Sequence, residues 1–501
     1  MSLHSRAESL VRERKGIEMT EPTLSAPARR PWLAGFAALN ALAAWAGAVG
    51  LVTGGMDFGA SINERLPFDS LVLAGLALGI IVGIPLTVLA WSAWTGGPRT
   101  DHLALVVGLM LIGWIVGQAV VIRAYSFFQP AYLVVGAAFV AASHRVTLSP
   151  HRRGVLSVVV GSVLAAVGVG LLPHPIKNGL TTMSVLAVAL LLSGITLVGF
   201  GAVSALRGRR RLGALAGGAA ALFALAATVS IIAPAVAATS VPSTKITSRP
   251  TTVGLEYESV TLTTTDGVEL AAWYVAGTNG AGVVVMHGAG STRSDVLDQA
   301  AVLARSGYTL VLIDARGHGD SGGTAMDFGW YGDGDIAAGT AFMASRPEVD
   351  PGRIGVVGFS MGGEEAIGAA AADPRIRAVV AEGATARQAA DKAWLSDVYG
   401  WRGWLQEQVE KVQYSFTDYL TEASPPTVLR SAVVNAPGAR FLLITAGNVD
   451  DEGHAASYIQ SAASDRVRVW NVDGADHTGG YDTQPDDWQQ RVIEFLDENL
   501  R

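Results

Sequence analysis

Seven long apolar stretches fill the first half of the chain and limit its fold more than any other feature. They run at about 32–53, 70–94, 102–122, 127–143, 154–172, 182–205 and 212–237. Each is near the roughly 17–25 residues that cross a bilayer as a helix, and none keeps the polar face of a helix buried in a soluble domain. Half of the 501 residues are apolar and only 16% are charged, against about 25% charged in ordinary soluble domains. The charge is also divided. Residues 1–250 hold 19 Lys+Arg and 8 Asp+Glu, whereas residues 251–501 hold 17 and 35. Two solvents are implied, lipid for the first half and water for an acidic second half.

The expected organisation is a cytoplasmic N-terminal tail (1–31), a transmembrane helical region (32–238), a linker (239–252) and a soluble domain (253–501). Basic residues collect on the cytoplasmic side of membrane proteins. With the N-terminus inside, the inner segments hold fourteen: Arg6, Arg12, Arg14, Lys15, Arg29, Arg30, Arg99, Arg145, Arg152, Arg153, Arg207, Arg209, Arg210 and Arg211. The outer loops between spans hold three, Arg65, Arg123 and Lys177. An odd number of spans then puts the second half on the outer face of a multi-pass cell-membrane protein. The spans carry almost no ionisable groups, Asn40 and Gln118 being their main polar side chains, so anchoring is their expected role rather than transport. Ala235-Val236-Ala237 resembles a signal-peptidase site, but an internal span ending in alanines is the preferred reading. Gly213-x-x-x-Gly217 permits close helix approach, yet small residues are so common here that chance accounts for it.

Residues 239–252 are rich in Ser, Thr and Pro without apolar periodicity, as a linker would be. Beyond them, short apolar runs alternate with helical patterns. Glu256–Thr263 and Val268–Val275 predict a hairpin; Gly282–Met286, Thr309–Ile313, Arg353–Val357, Ile376–Ala381, Phe441–Thr445 and Val467–Trp470 read as strands buried on both faces. A doubly wound, mostly parallel sheet of about eight strands follows. Helical residues from about 384 to 432, with Trp394, Trp401, Trp404, Tyr414 and Tyr419, interrupt the alternation between the sixth and seventh strands. They predict a small cap over the strand ends, its aromatics either lining a site or packing the extra helices.

Gly358-Phe359-Ser360-Met361-Gly362 lies where a β-branched run turns into a small-residue helix. A strand-to-helix reversal of this kind holds a serine hydroxyl exposed at a helix N-terminus, with glycines two residues away on either side to admit neighbouring backbone. A serine needs a base, and the base needs an orienting acid. His477 follows the last strand and is the expected base. Asp450, after the seventh strand, is the expected acid, with Asp451 and Glu382 as alternatives. The N–H of Met361, with that of Ala289 or Gly290 in the Gly-rich turn after Met286-His287, would form an oxyanion hole. His287 reads as a loop-packing residue. Glu364-Glu365 reads as an exposed acidic first turn, though these carboxylates would also suit a substrate amine.

Together His287-Gly288, Asp314-Ala315-Arg316-Gly317-His318-Gly319-Asp320-Ser321-Gly322, Gly358 to Gly363, Asp450 and His477 resemble the α/β-hydrolase superfamily, above all its serine aminopeptidase-like, acyl-peptidase-like and dienelactone-hydrolase-like members. The resemblance covers about residues 253–500. It implies a structural turn at Asp314–Gly322, so His318 and Asp320 receive no catalytic role. Two departures stand out, Thr445-Ala446 where many relatives carry a histidine, and the paired glutamates after the elbow.

The expected function is a membrane-anchored serine hydrolase that cleaves an ester or amide through an acyl-enzyme on Ser360, acting on a small-molecule, lipid-ester or peptide substrate. The alternatives are a membrane-surface acyltransferase and a catalytically inactive sensor or partner-binding domain. The chain has no cysteine, which excludes thiolate catalysis, disulfides and Cys-ligated metal. His454 and His477 lack ligand spacing, so neither metal nor cofactor is expected. The acidic second half has no basic stripe for nucleic acid.

Overall fold

Among residues 29–56, 66, 70–122, 128–143 and 149–500, which the computed structural model describes, the chain divides into two compact units. Arg6, Arg12, Arg14, Lys15, Arg65, Arg123 and Arg145 lie outside the described residues. The first unit comprises residues 1–114 and 135–147, the second residues 115–134 and 148–501.

In the first unit, helix α1 (Pro31–Val52) packs against α2 (Leu71–Thr95), which contains a single π-helical turn at Gly79–Gly83. Asn40 spends its amide on its own helix, donating to the Phe36 carbonyl at 2.8 Å. The third and fourth apolar stretches form helices α3 (Thr100–Ile122) and α4 (Phe128–Ala142). Among the described residues, five helical stretches are long and apolar enough to cross a membrane: Pro31–Val52, Leu71–Thr95, Pro150–Asn178, Thr182–Leu206 and Arg211–Thr239. The apolar parts described in α3 and α4, Thr100–Ile115 and Ala131–Ala142, are shorter. At 1.5 Å per residue, the 15 residues of α4 fall short of a hydrocarbon core about 30 Å thick. Among the described residues, five clear candidates stand where seven were expected.

The second unit begins with α5 (Pro150–Gly170), the short α6 (Pro173–Asn178), α7 (Thr182–Leu206) and α8 (Arg211–Thr239). Helices α5 and α7 meet along a seam of glycines seven residues apart, Gly154, Gly161 and Gly168 against Gly194 and Gly201. A Cβ added at Gly154 or Gly194 would lie 2.4 Å from backbone nitrogen of the facing helix. Small residues let two helix backbones approach this closely. Gly213, from the motif set aside above, meets only its own Arg209 side chain.

The rest of the unit is built on an eight-stranded sheet in the order β1-β2-β4-β3-β5-β6-β7-β8. Strands β1 (Glu258–Thr263) and β2 (Glu269–Val275) form the expected antiparallel hairpin, and β2 joins β4 (Thr309–Ile313) antiparallel. Strands β3 (Gly282–Met286), β5 (Ile354–Phe359), β6 (Ile376–Glu382), β7 (Arg440–Ala446) and β8 (Val467–Val472) complete a parallel array with β4. Every residue of β3, β4 and β5 is buried, because helices cover both sheet faces. Ile313, Val356 and Ile367 belong to the core of one face, and Val285, Val357 and Trp488 to that of the other.

The helices of this domain are α9 (Leu297–Arg305), α10 (Gly332–Ala344), α11 (Met361–Ala372), α12 (Leu395–Tyr399), α13 (Trp401–Leu420), α14 (Leu429–Asn435), α15 (Asp450–Gln460), α16 (Gly480–Thr483) and α17 (Pro485–Leu500). Helices α12, α13 and α14 occupy the insertion expected between β6 and β7. Its aromatics divide by role. Trp394 and Tyr414 are buried, the latter stacked against Trp330, while Trp401, Trp404 and Tyr419 face outward.

Candidate active site

Strand β5 delivers Ser360 to the N-terminus of α11 through a reversal that fixes the serine at φ 51° and ψ −119°. A non-glycine residue at positive φ is strained and persists only where its surroundings enforce it. Here the Ser360 N–H donates to the Glu382 carbonyl at 2.7 Å, and the Gly363 N–H to the Ser360 carbonyl at 2.9 Å. The flanking glycines are needed for space. A Cβ at Gly358 would lie 2.1 Å from the Gly362 carbonyl oxygen, and one at Gly362 2.5 Å from that of His287.

His477, in the loop after β8, reaches this serine. Its Nε2 is 2.8 Å from Ser360 Oγ, and its Nδ1 is 2.6 Å from Glu452 Oε1. The hydrogen bond to Glu452 is the largest influence holding the imidazole above its ordinary value of 6.5, and partial burial opposes it. Asp450 is exposed and makes no hydrogen bond to His477. The correction has a simple origin in the first turn of α15. Asp450, Asp451 and Glu452 occupy its first three positions after Val449. From the third position an acidic side chain can fold back past the helix start. Glu452 does so, accepting the Ala446 N–H at 2.8 Å through its second oxygen, and its side chain is 1% exposed. Asp451 instead accepts from the Tyr399 hydroxyl at 2.6 Å. Glu382, the other alternative, holds Gly480 N–H at 2.8 Å and Trp488 Nε1–H at 2.9 Å.

The turn after β3 lies beside Ser360. A Cβ built on Gly288 would be 3.2 Å from that of Ser360. Among the described residues, no acceptor takes the Ala289 N–H or the Met361 N–H, the first amide of α11. His287 is fully buried, and burial, with the neighbouring His318, pushes its imidazole down to about 3. A neutral ring fits its bonds: Nδ1–H donates to the Gly288 carbonyl at 2.7 Å, and Nε2 accepts the Ala315 N–H at 3.0 Å. Asp314 accepts the N–H groups of Arg293 and Asp320 at 2.8 and 2.9 Å, so the following segment is a carboxylate-centred turn.

The paired glutamates are buried rather than exposed. Glu364 Oε1 accepts the N–H groups of Thr385 and Ala386, both at 2.9 Å, and so secures the start of the cap insertion. Burial pushes its carboxyl up to about 7. Glu365 is driven well above the usual carboxylate range by burial. Among the described residues no cluster of His, Asp and Glu is suited to a metal ion.

The sheet and its site fit an α/β hydrolase. Residues 277–429 match the family described as Serine aminopeptidase, S33. The thiohydrolase aneE of Aspergillus aculeatus is 33% identical over 129 residues, 25% of this chain and 40% of that protein. A polyketide transferase of Stachybotrys chlorohalonatus, ATR5, is likewise 33% identical over 129 residues, 43% of its length. The chain thus spans less than half the length of these curated relatives. The esterase Pf2001 of Pyrococcus furiosus, 24% identical, aligns with 52% of this chain and 99% of its own at a TM-score of 0.41. The family match and the thiohydrolase relative support a hydrolase, and the long apolar helices are compatible with membrane insertion.

Proposed function

We propose that this chain is a membrane-tethered serine hydrolase acting on esters or amides, with Ser360 as nucleophile, His477 as base and Glu452 as orienting acid. The observation that carries the reading is the pair of hydrogen bonds through one imidazole, 2.8 Å to Ser360 Oγ and 2.6 Å to Glu452. Ser360 Oγ attacks the substrate carbonyl carbon while its proton passes to His477 Nε2. Glu452 keeps the proton on Nδ1 and stabilises the imidazolium. The oxyanion of the tetrahedral intermediate faces the N–H groups of Ala289 and Met361, each worth about 3 kcal/mol in donors of this kind. His477 then protonates the departing alcohol or amine as its bond to carbon breaks. Water, deprotonated by the same imidazole, releases the acid and restores the serine.

On this reading the N-terminus and the basic cluster Arg207–Arg211 lie in the cytoplasm, and the hydrolase domain lies outside. The contact between Lys177, in the connection before α7, and Gly290 of the hydrolase domain fits one part of that arrangement, the connection and the hydrolase domain lying on the same side. Helix α13 supports action at a lipid surface. Trp401, Trp404, Leu405, Val412, Phe416 and Tyr419 are exposed along its outer face, whereas Glu407, Glu410, Tyr414 and Thr417 turn inward, and α8 packs beside it. Apolar and aromatic side chains on one helix face suit the boundary between headgroups and acyl chains.

The test is a panel of p-nitrophenyl esters of increasing acyl length alongside aminoacyl amides, with purified full-length protein in lipid nanodiscs. Turnover with an initial burst of one p-nitrophenol per enzyme is expected; no turnover on any member would remove the reading. A second reading, acyl transfer, draws on the relatives named polyketide transferases. Acceptor alcohols would then raise p-nitrophenol release without raising free acid.

A further inference from the structure

The membrane region does more than hold the hydrolase at a surface, because one of its connections reaches the turn beside the nucleophile. Helix α6 joins α5 to α7, two of the long apolar helices, and lies outside the stretch matched by the hydrolase family. Lys177 Nζ donates to the Gly290 carbonyl at 2.9 Å and to Thr244 Oγ1 at 3.3 Å. Thr244 Oγ1, from the segment after α8, donates to the same carbonyl at 2.9 Å. His174, also in α6, bonds the Ser240 carbonyl through Nε2 at 2.6 Å, fixing α6 to the start of that segment.

Gly290 is the third residue of the turn Gly288-Ala289-Gly290-Ser291, closed by the Ser291 N–H donating to the Gly288 carbonyl at 3.2 Å. Its φ of +63° is one that L side chains avoid, and a Cβ there would come 2.5 Å from Lys177 Nζ. Its own N–H donates to His318 Nε2 at 3.3 Å. Both peptide groups of Gly290 are therefore held from outside the turn, by His318 on one side and by Lys177 with Thr244 on the other. The preceding N–H is that of Ala289. A turn free to rock about Gly290 would swing that donor away from the carbonyl oxygen of a bound substrate. Oxyanion stabilisation depends on donors already aimed where the charge develops.

We propose that Lys177 is a positioning residue of the active site, which clamps the oxyanion turn through the Gly290 carbonyl and makes the α5–α7 connection part of the catalytic apparatus. The proposal rests on the serine-hydrolase reading above. Loss of one oxyanion donor costs about 10²–10³ in kcat. Lys177 acts one step removed and Thr244 remains, so Lys177→Met lowers kcat about 10-fold and leaves KM within about twofold, and Lys177→Arg retains most of the rate. Lys177→Met with Thr244→Val falls further, toward the loss of a whole donor.

The deciding measurement uses full-length protein in nanodiscs and pairs ester kinetics with the affinity of a trifluoromethyl ketone, which forms an oxyanion on addition of the serine. The affinity should weaken in Lys177→Met by the same factor as kcat/KM, because both read the transition-state charge. Unchanged kcat and ketone affinity in Lys177→Met, beside an active wild type, would overturn the clamp alone. A rise in KM with kcat unchanged, or Lys177→Arg as impaired as Lys177→Met, would overturn it too. A wild type that neither turns over esters nor binds the ketone would instead remove the serine-hydrolase reading.

Discussion

Replacing Glu452 by Gln keeps the shape of the side chain and removes its charge, so it asks directly which acid supports the base. The carboxylate is buried, and its Oε1 is 2.6 Å from His477 Nδ1. Coulomb's law at an effective dielectric of about 20 gives about 4 kcal/mol for unit charges ~4 Å apart. The His477 side chain is 49% exposed, and solvent screening reduces the figure to about 2–3 kcal/mol, or roughly 30–150-fold in rate. An amide can also turn its NH2 toward Nδ1 and favour the wrong tautomer, a defect that costs about 10⁴ in triads of this design. Glu452→Gln should therefore lower kcat/KM between about 10² and 10⁴, and Asp450→Asn should stay within about threefold. Initial rates on a p-nitrophenyl ester, with thermal unfolding as a check that both variants fold, make the comparison. A folded Glu452→Gln variant as active as wild type, or Asp450→Asn as impaired as expected for Glu452→Gln, would refute the assignment.

Four further outcomes follow from the structure. Catalysis needs a neutral imidazole, and Glu452 holds His477 above 6.5; the acid limb of kcat/KM should lie above pH 6.5 in wild type and move lower in Glu452→Gln. Because that shift is upward, the stability the pair contributes is present in full below the unfolded imidazole value and is lost as pH rises through the raised one, which melting against pH will show. Gly362→Ala puts a methyl 2.5 Å from the His287 carbonyl oxygen, so the protein should lose at least several degrees of melting temperature together with its esterase activity; a variant of unchanged stability and rate would show that the elbow has slack. Since the chain has no cysteine, a single Trp404→Cys variant with an environment-sensitive dye reports on α13. Its emission should shift to the blue in nanodiscs and be quenched by brominated lipid, whereas a dye that reads bulk water would place this face away from lipid.

The hydrolase fold is written locally, which is why its sheet can be read from the chain. Strands β3, β4 and β5 lie in the interior, so their apolar runs are continuous, and the elbow glycines mark backbone contacts that no other residue permits. What escaped sequence reading depends on reach and on distant partners. Asp450 and Glu452 look alike in sequence; a helix start decides between them by turning one outward and folding the other back to Ala446. Glu364 looked exposed because its partners, the Thr385 and Ala386 amides, arrive from about 20 residues downstream and only the folded cap brings them. The glycine seam of α5 and α7 was hidden for a similar reason, since its spacing of seven residues gains meaning only when the second helix is beside the first. Lys177 gave no local signal, being 113 residues from the carbonyl it holds.

A fluorophosphonate probe, which bonds covalently only to an activated serine, tests the central claim most directly. After labelling of the full-length protein in nanodiscs and proteolysis, mass spectrometry should find the phosphonate on Ser360 alone. Ser360→Ala should take up none, and His477→Ala should react at least about 10³-fold more slowly. Labelling that persists in Ser360→Ala, or a wild type left unmodified while a soluble serine esterase in the same tube reacts fully, would contradict the account.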